Sequence, residues 1–239
     1  MKIKRMISAL LSGMILSGIA VCSANAEDFQ AQKDEVIMLV NEQRAAQGKE
    51  ILYESAILNQ AADIRAKEII SNFSHTRPDG SHGYEVVYEV GATYMAVGEN
   101  IAYGYSTEAD VMNGWMNSSG HRANILNENY HAIGVGVARN NNVYYWVQIF
   151  TDGIGLTPMY TKGNINRDND INSEDASLIL SDAAETGAGR TGVLTRMQRS
   201  FSDLNRDGNV NSYDATLLLK YTAYAGAGGL DSIETYLGL

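Results

Sequence analysis

The chain has 239 residues, enough for one large domain or two smaller ones, so the domain count rests on internal signals. A net charge of −10, from 28 acidic against 18 basic side chains, argues against partners built on phosphate backbones and against anionic membrane surfaces. The single cysteine, Cys22, excludes an intramolecular disulfide, so packing and bound ions must hold the fold.

Met1–Arg5 carry three basic residues, an apolar run follows from Met6 to Val21, and Ala24-Asn25-Ala26 places small residues at both specificity positions of a signal-peptidase site. Residues 1–26 therefore read as a signal peptide cleaved after Ala26. The run is too short and wrongly flanked for a membrane span, and no later segment reaches the ~18 apolar residues a transmembrane helix needs. Without the first 26 residues, 15 basic side chains face 28 acidic ones, a net charge of −13. A lipoprotein with Cys22 acylated is disfavoured by Val21, where a small residue is usual.

Two helical patterns follow. Gln30 to Gln47 puts Val36, Ile37 and Val40 on one face, and Ser55 to Ser71 puts Ile57, Ala61, Ile64 and Ile69 at helical spacing, with Ser55 as N-cap. Arg77-Pro78-Asp79-Gly80 is a turn, since Pro presets φ and Gly accepts positive φ. Thr107-x-x-Asp110 opens a helix carrying Val111, Met112, Trp115 and Met116, expected to stop near Gly120. Ile133–Ala138 and Val143–Phe150 are β-rich and separated by Asn140-Asn141-Asn142, a hairpin turn because Asn tolerates the left-handed conformation. Residues 153–162, with Gly153, Gly155 and Pro158, break the pattern as a linker.

The most specific signal lies beyond that break. Asp203, Asn205, Asp207, Gly208, Asn209 and Asp214 occupy positions 1, 3, 5, 6, 7 and 12 of an oxygen-rich loop in which side chains alternate around a hard cation, calcium by its chemistry. Asn164, Asn166, Asp168, Asn169, Asp170 and Asp175 hold the same positions 39 residues earlier. Each loop runs into an apolar helix, through Ser177-Leu178-Ile179-Leu180 and Thr216-Leu217-Leu218-Leu219. A pair of Asx-rich solvated turns would not repeat in register. The first loop lacks one carboxylate at Asn164 and has Asn169 where Gly is favoured, so the second loop is expected to bind calcium more tightly.

This duplicated EF-hand-like pattern resembles the dockerin type I module over residues 163–226, leaving 227–239 as a tail. The resemblance implies two calcium sites and a cohesin domain of a scaffolding protein as partner. By the same resemblance, loop positions 10 and 11 face the cohesin, which maps to Ser173 and Glu174 in the first repeat and to Ser212 and Tyr213 in the second.

In the first part of the chain, two of the four histidines sit in Phe73-Ser74-His75-Thr76 and Ser118-Ser119-Gly120-His121-Arg122, with Gly98-Glu99-Asn100 between them. Imidazoles with a carboxylate suit either zinc ligation or proton transfer, though spacing alone does not bring them together. Taken with Asn41-Glu42-Gln43-Arg44 and Tyr145-Trp146-Val147-Gln148-Ile149-Phe150, these segments are similar in order to the CAP superfamily of cysteine-rich secretory, antigen and pathogenesis-related (SCP-like) proteins, in its disulfide-free bacterial branch. The resemblance implies an α+β fold, an α-β-α sandwich over residues 27–152, with a cleft lined by His75, His121 and the acid Glu99. Where the fuller family pattern carries a second acid, this chain has Ser118, which puts any two-acid mechanism in doubt. His82 and His131 match no cleft motif and read as surface residues.

Three functions remain open: a metal- or ligand-binding CAP module docked to a cellulosome-like scaffold outside a bacterium, a hydrolase using His75, Glu99 and His121 with or without zinc, and a groove for an apolar or glycan ligand. Polysaccharide breakdown is the context that a dockerin implies. No paired-carboxylate glycosidase signature supports it in the first domain.

Overall fold

A computed structural model describes residues 29–168 and 170–239. The signal-peptide segment, with Cys22, lies outside the described residues. Helix α1 (Gln30–Ala46) buries Val36, Ile37 and Val40, the face expected from the spacing of its apolar residues. Helix α2 (Ala56–Ser71) buries Leu58, Ala61, Ala62, Ala66 and Ile69. Ser55 does stand at its N-cap, but its hydroxyl makes no capping bond. Thr107 does cap: its side chain accepts from the Asp110 amide at the start of α4 (Glu108–Asn117). That helix ends at Asn117, and the chain re-enters a second short helix, α5 (Ser119–Ile125), across the Gly120 where a stop was expected.

Four strands form one sheet in the order β1-β3-β4-β2. Strands β3 (Ala132–Asn140) and β4 (Val143–Thr151) form the hairpin read from the sequence. Its turn residues Asn141 and Asn142 both have positive φ, 48° and 64°, as a two-residue hairpin turn requires. Strand β2 (Val97–Tyr103) pairs antiparallel with β4, setting Glu99 opposite Ile149, and forms one margin of the sheet. The two-residue strand β1 (Tyr53–Glu54) runs parallel to β3 at the other margin.

Side chains alternate across the sheet, so its two faces bury two separate cores. One face carries Val135, Val137, Trp146 and Phe150 against α1, α4 and α5, with Trp115 and Ile125. The other carries Ile101, Val147 and Ile149 against α2 and the small helix α3 (Val86–Glu89). This is an α-β-α sandwich. At Gly134 and Gly136 any Cβ would strike the backbone of α2 at Leu58 and Ala62, so glycine there lets the helix lie directly on the strand.

Residues 163–239 form an all-α unit. Helix α6 (Ser173–Gly187) and helix α8 (Ser212–Gly226) each begin with a capping box, Asn172 with Asp175 and Asn211 with Asp214, and pack on each other. Between them, α7 (Arg196–Ser202) is capped by Thr195 and closes over a core of Ile165, Ile179, Leu194, Leu204, Val210 and Leu218. Buried Asp182 of α6 accepts from the Leu194 amide and pairs with Arg199 of α7. A last helix, α9 (Ile233–Leu237), occupies the stretch read as a tail. The mixed helix and sheet content is α+β, as expected. No helix among the described residues is long and apolar enough to cross a membrane.

Candidate functional site

Because β2 is a margin strand, a cleft of about 650 Å³ forms over its free edge, between the loop after α2 and helices α4 and α5. His75, Phe73, Tyr103, Tyr105, Ser118 and His121 are among the residues that line it. The two histidines named from the sequence thus line one cleft, although they stand 46 residues apart in the chain.

Glu99 does not line the cleft. The alternation of β2 turns it toward the α2 layer, where its side chain is only 2% exposed, while the His75 side chain is 60% exposed. Glu99 Oε1 lies 2.7 Å from His75 Nδ1, and Oε2 accepts from Arg65 Nε at 2.7 Å. Arg65 also donates to the Ser74 carbonyl at 2.8 Å and to Glu68 at 2.6 Å. Glu68 in turn pairs with Arg77, which reaches Glu89. Burial would raise the Glu68 carboxyl, but hydrogen bonds from Arg77 and Arg65 more than offset it and hold the group below its ordinary value. The result is a line of alternating charges from Glu89 to the back of His75. Gly83 completes the cradle, since a Cβ there would fall on the Glu99 carboxylate.

The other face of β2 carries Asn100, fully buried, which donates to Gln148 Oε1 at 2.9 Å and to the His121 carbonyl at 3.1 Å, and accepts from Asn124 at 2.9 Å. This fixes the backbone of α5 and with it the position of His121. Burial, and then the proximity of His75, lower the His121 imidazole from its ordinary value and favour its neutral form. The amide nitrogen of Gln148 is buried without a partner.

Zinc fits this arrangement poorly. Both Glu99 oxygens are engaged by Arg65 and His75, and Ser118 offers a neutral hydroxyl where a third imidazole, thiolate or carboxylate ligand would be needed. Among the described residues no group of three or more His, Cys, Asp or Glu is gathered to hold a metal. His82 and His131 are exposed, the first stacked on Tyr84 and bridged by its backbone to Thr76, beside His75, and the second 3.9 Å from Glu50; neither lines the cleft.

The two loops of the helical unit share one turn lattice. In the second, Asp203 accepts from the Asp207 and Gly208 amides, Asn205 from Asp207, and Asp207 from Asn209. In the first, Asn164 accepts from the Arg167 amide, Asn166 from Asp168, and Asp168 from Asp170. The carboxylates of Asp175 and Asp214, at position 12, each gather three backbone amides from opposite ends of their loop. Arg167 and Arg206 at the fourth positions both take positive φ, 69° and 59°, so the two loops follow the same path. The donors are side-chain and backbone oxygens, the chemistry calcium prefers, and these residues fit that ion. The loop position of Asn169 lies outside the described residues. Ser173, Glu174, Ser212 and Tyr213 are exposed at the starts of α6 and α8, Tyr213 at 53%.

Sequence reading missed Arg65, Glu68 and Gly83 around the cleft, and gave Asn100 and Gln148 no role beyond their place in the quoted segments. Arg65 stands on the face of α2 next to Ala61 and Ile69, so a charge on an otherwise buried stripe was the available signal.

Comparison with known proteins agrees with this architecture. Residues 37–150 match the cysteine-rich secretory protein (CAP) family and residues 162–222 the dockerin type I domain. The chain is 34% identical over 122 residues to the uncharacterized protein YkwD of Bacillus subtilis, covering 50% of this chain and 47% of that protein. It is 37% identical over 78 residues to the uncharacterized membrane protein YlbC of the same organism, covering 33% of this chain and 21% of that one. Among solved structures, an extracellular protein containing an SCP domain from Bacillus anthracis is similar at 27% identity and a TM-score of 0.48, covering 51% of this chain and 40% of that one. The chain thus spans less than half the length of each of these relatives.

Proposed function

From the match of residues 37–150 to the cysteine-rich secretory protein family and of 162–222 to the dockerin type I domain, we propose that the chain is a secreted bacterial protein held on a cohesin-bearing, cellulosome-like scaffold by its dockerin, with the CAP domain as a ligand-binding module. The observation that carries the reading is the matched pair of loop-helix units, each presenting two exposed residues where a cohesin would sit: Ser173 and Glu174, Ser212 and Tyr213. Calcium in both loops would draw the oxygens of Asn164, Asn166, Asp168, Asp170 and Asp175, and of Asp203, Asn205, Asp207, Asn209 and Asp214, onto one ion each. Pull-down of the full chain on immobilised cohesins, with and without chelator, tests this; retention unaffected by chelation on every cohesin would end the reading.

The domain boundaries that accompany it are a CAP domain at 27–152, a joining segment at 153–162 and the dockerin at 163–226. Ligand binding in the cleft is supported by its mixed lining, in which Phe73, Tyr103 and Tyr105 flank His75 and His121.

One observation favours a second reading, a hydrolase. Glu99 engages His75 through Nδ1, which leaves Nε2 as the ring nitrogen to take a proton from water or a hydroxyl, with Glu99 steadying the imidazolium. No nucleophile is paired with either histidine in the hydrogen-bond network described. Turnover of a peptide or glycan library that is lost in Glu99→Gln would support the enzyme, and turnover indifferent to that change would remove it.

A further inference from the structure

The segment joining the two domains is not loose. Tyr53 donates to the Gly153 carbonyl at 2.8 Å, the Met159 amide donates to the Glu54 carbonyl at 2.8 Å, and Tyr160 is 5% exposed. Tyr160 does three things at once. Its hydroxyl donates to Asp34 of α1 at 2.9 Å, its ring stacks on Phe201 of α7 at 5.1 Å, and the Arg167 guanidinium lies over that ring at 4.4 Å from its centre.

Arg167 belongs to the first loop, between the candidate ligands Asn166 and Asp168. From there it crosses into the CAP domain and pairs with buried Asp34 at 2.7 Å. Thr195, the cap of α7, donates to the same carboxylate at 3.1 Å. Arg196 of α7 bridges Glu35 and Glu42 of α1, and Met197 is buried in the CAP core itself. Asp34 also shares Gln30 with Glu54, so two buried carboxylates look to one guanidinium from the other domain. Glu54 Oε2 and Arg167 Nε, one acceptor and one donor, are both buried without a partner in this cluster.

We propose that the dockerin is latched to the CAP domain by Arg167, and that ordering the first loop with calcium therefore stabilises the CAP domain against local opening of α1. The physical basis is linkage. The positive φ of Arg167 is fixed by the loop path, and its amide is held by Asn164, so an ion that rigidifies the loop presets the side chain that satisfies Asp34. A loop free to fluctuate leaves a carboxylate that is 1% exposed without its only cationic partner in the network described. The coupling also keeps both cohesin-facing helix starts clear, because α7 and the Arg167 turn, not Ser173, Glu174, Ser212 or Tyr213, make the contact with α1.

The coupling rests on the calcium reading of the first loop, and the experiment separates the two. Hydrogen exchange of the full chain is followed by mass spectrometry in peptides covering residues 30–46, with calcium and with chelator, alongside calorimetric calcium titration. Calcium should slow exchange across α1 by on the order of tenfold in the wild type, and this response should vanish in Arg167→Met and in Asp34→Asn. Calcium uptake with no change in α1 would overturn the latch while leaving the calcium sites intact. An undiminished response in both variants, or no uptake at all, would overturn it as well.

Discussion

Arg65 Nε lies 2.7 Å from Glu99 Oε2 with both side chains buried, so the carboxylate that orients His75 is itself fixed from the opposite layer of the sandwich. The cleft histidine is thus placed by α2 as well as by the strand that carries Glu99.

Removing one partner of a buried pair leaves the other uncompensated. Arg65→Ala should therefore destabilise the CAP domain by about 3–5 kcal/mol, read from urea unfolding. Glu99→Gln should cost less, because Arg65 keeps Glu68 and the Ser74 carbonyl, and should free the His75 ring to reorient, visible in its NMR line shape.

A methyl group at position 83 has nowhere to go except onto the Glu99 carboxylate. Gly83→Ala is expected to cost about 1–3 kcal/mol and to break the His75–Glu99 contact. Thermal unfolding and a crystal structure of the variant check both parts.

Acid should help the Asp34–Glu54 cluster rather than harm it. Burial raises both carboxyl groups, the Glu54 group further through Asp34, so each binds protons more readily folded than unfolded. Their neutral forms contribute stability in full below the unfolded carboxyl range, and that contribution is lost as pH rises through the elevated folded values. Glu54→Gln should raise the Tm at neutral pH and flatten this part of the acid dependence. A wild-type and variant Tm difference that stays constant from pH 7 to pH 4 would contradict it.

The loops should differ in affinity. Asp203 accepts two amides with a full charge, whereas Asn164 accepts one with none. Calorimetry should resolve a tighter second site, and Asn164→Asp should narrow the gap by on the order of tenfold. Equal sites in the wild type would refute the ranking.

Much of this was legible in the chain. Helices α1 and α2 follow from apolar spacing, the Asn141-Asn142 turn from the tolerance of Asn for positive φ, and the two loops from a repeat too regular for chance. Strand β2 was not, because Gly98-Glu99-Asn100 have low strand propensity and are held by partners distant in sequence, Arg65 and Gln148. Helix α7 escaped because it is a seven-residue element stabilised by Thr195 and by α1 rather than by its own pattern. The cleft was half visible: the motifs named His75, His121 and Glu99, but only the pleat of β2 decides that Glu99 stands behind the site.

Both tryptophans, Trp115 and Trp146, are buried in the core beneath the cleft, and the chain has no other. Their emission is therefore an optical signal of the first domain alone, since residues 163–239 hold no tryptophan. Tryptophan emission of the intact protein can thus follow the melting of that domain, with no label attached.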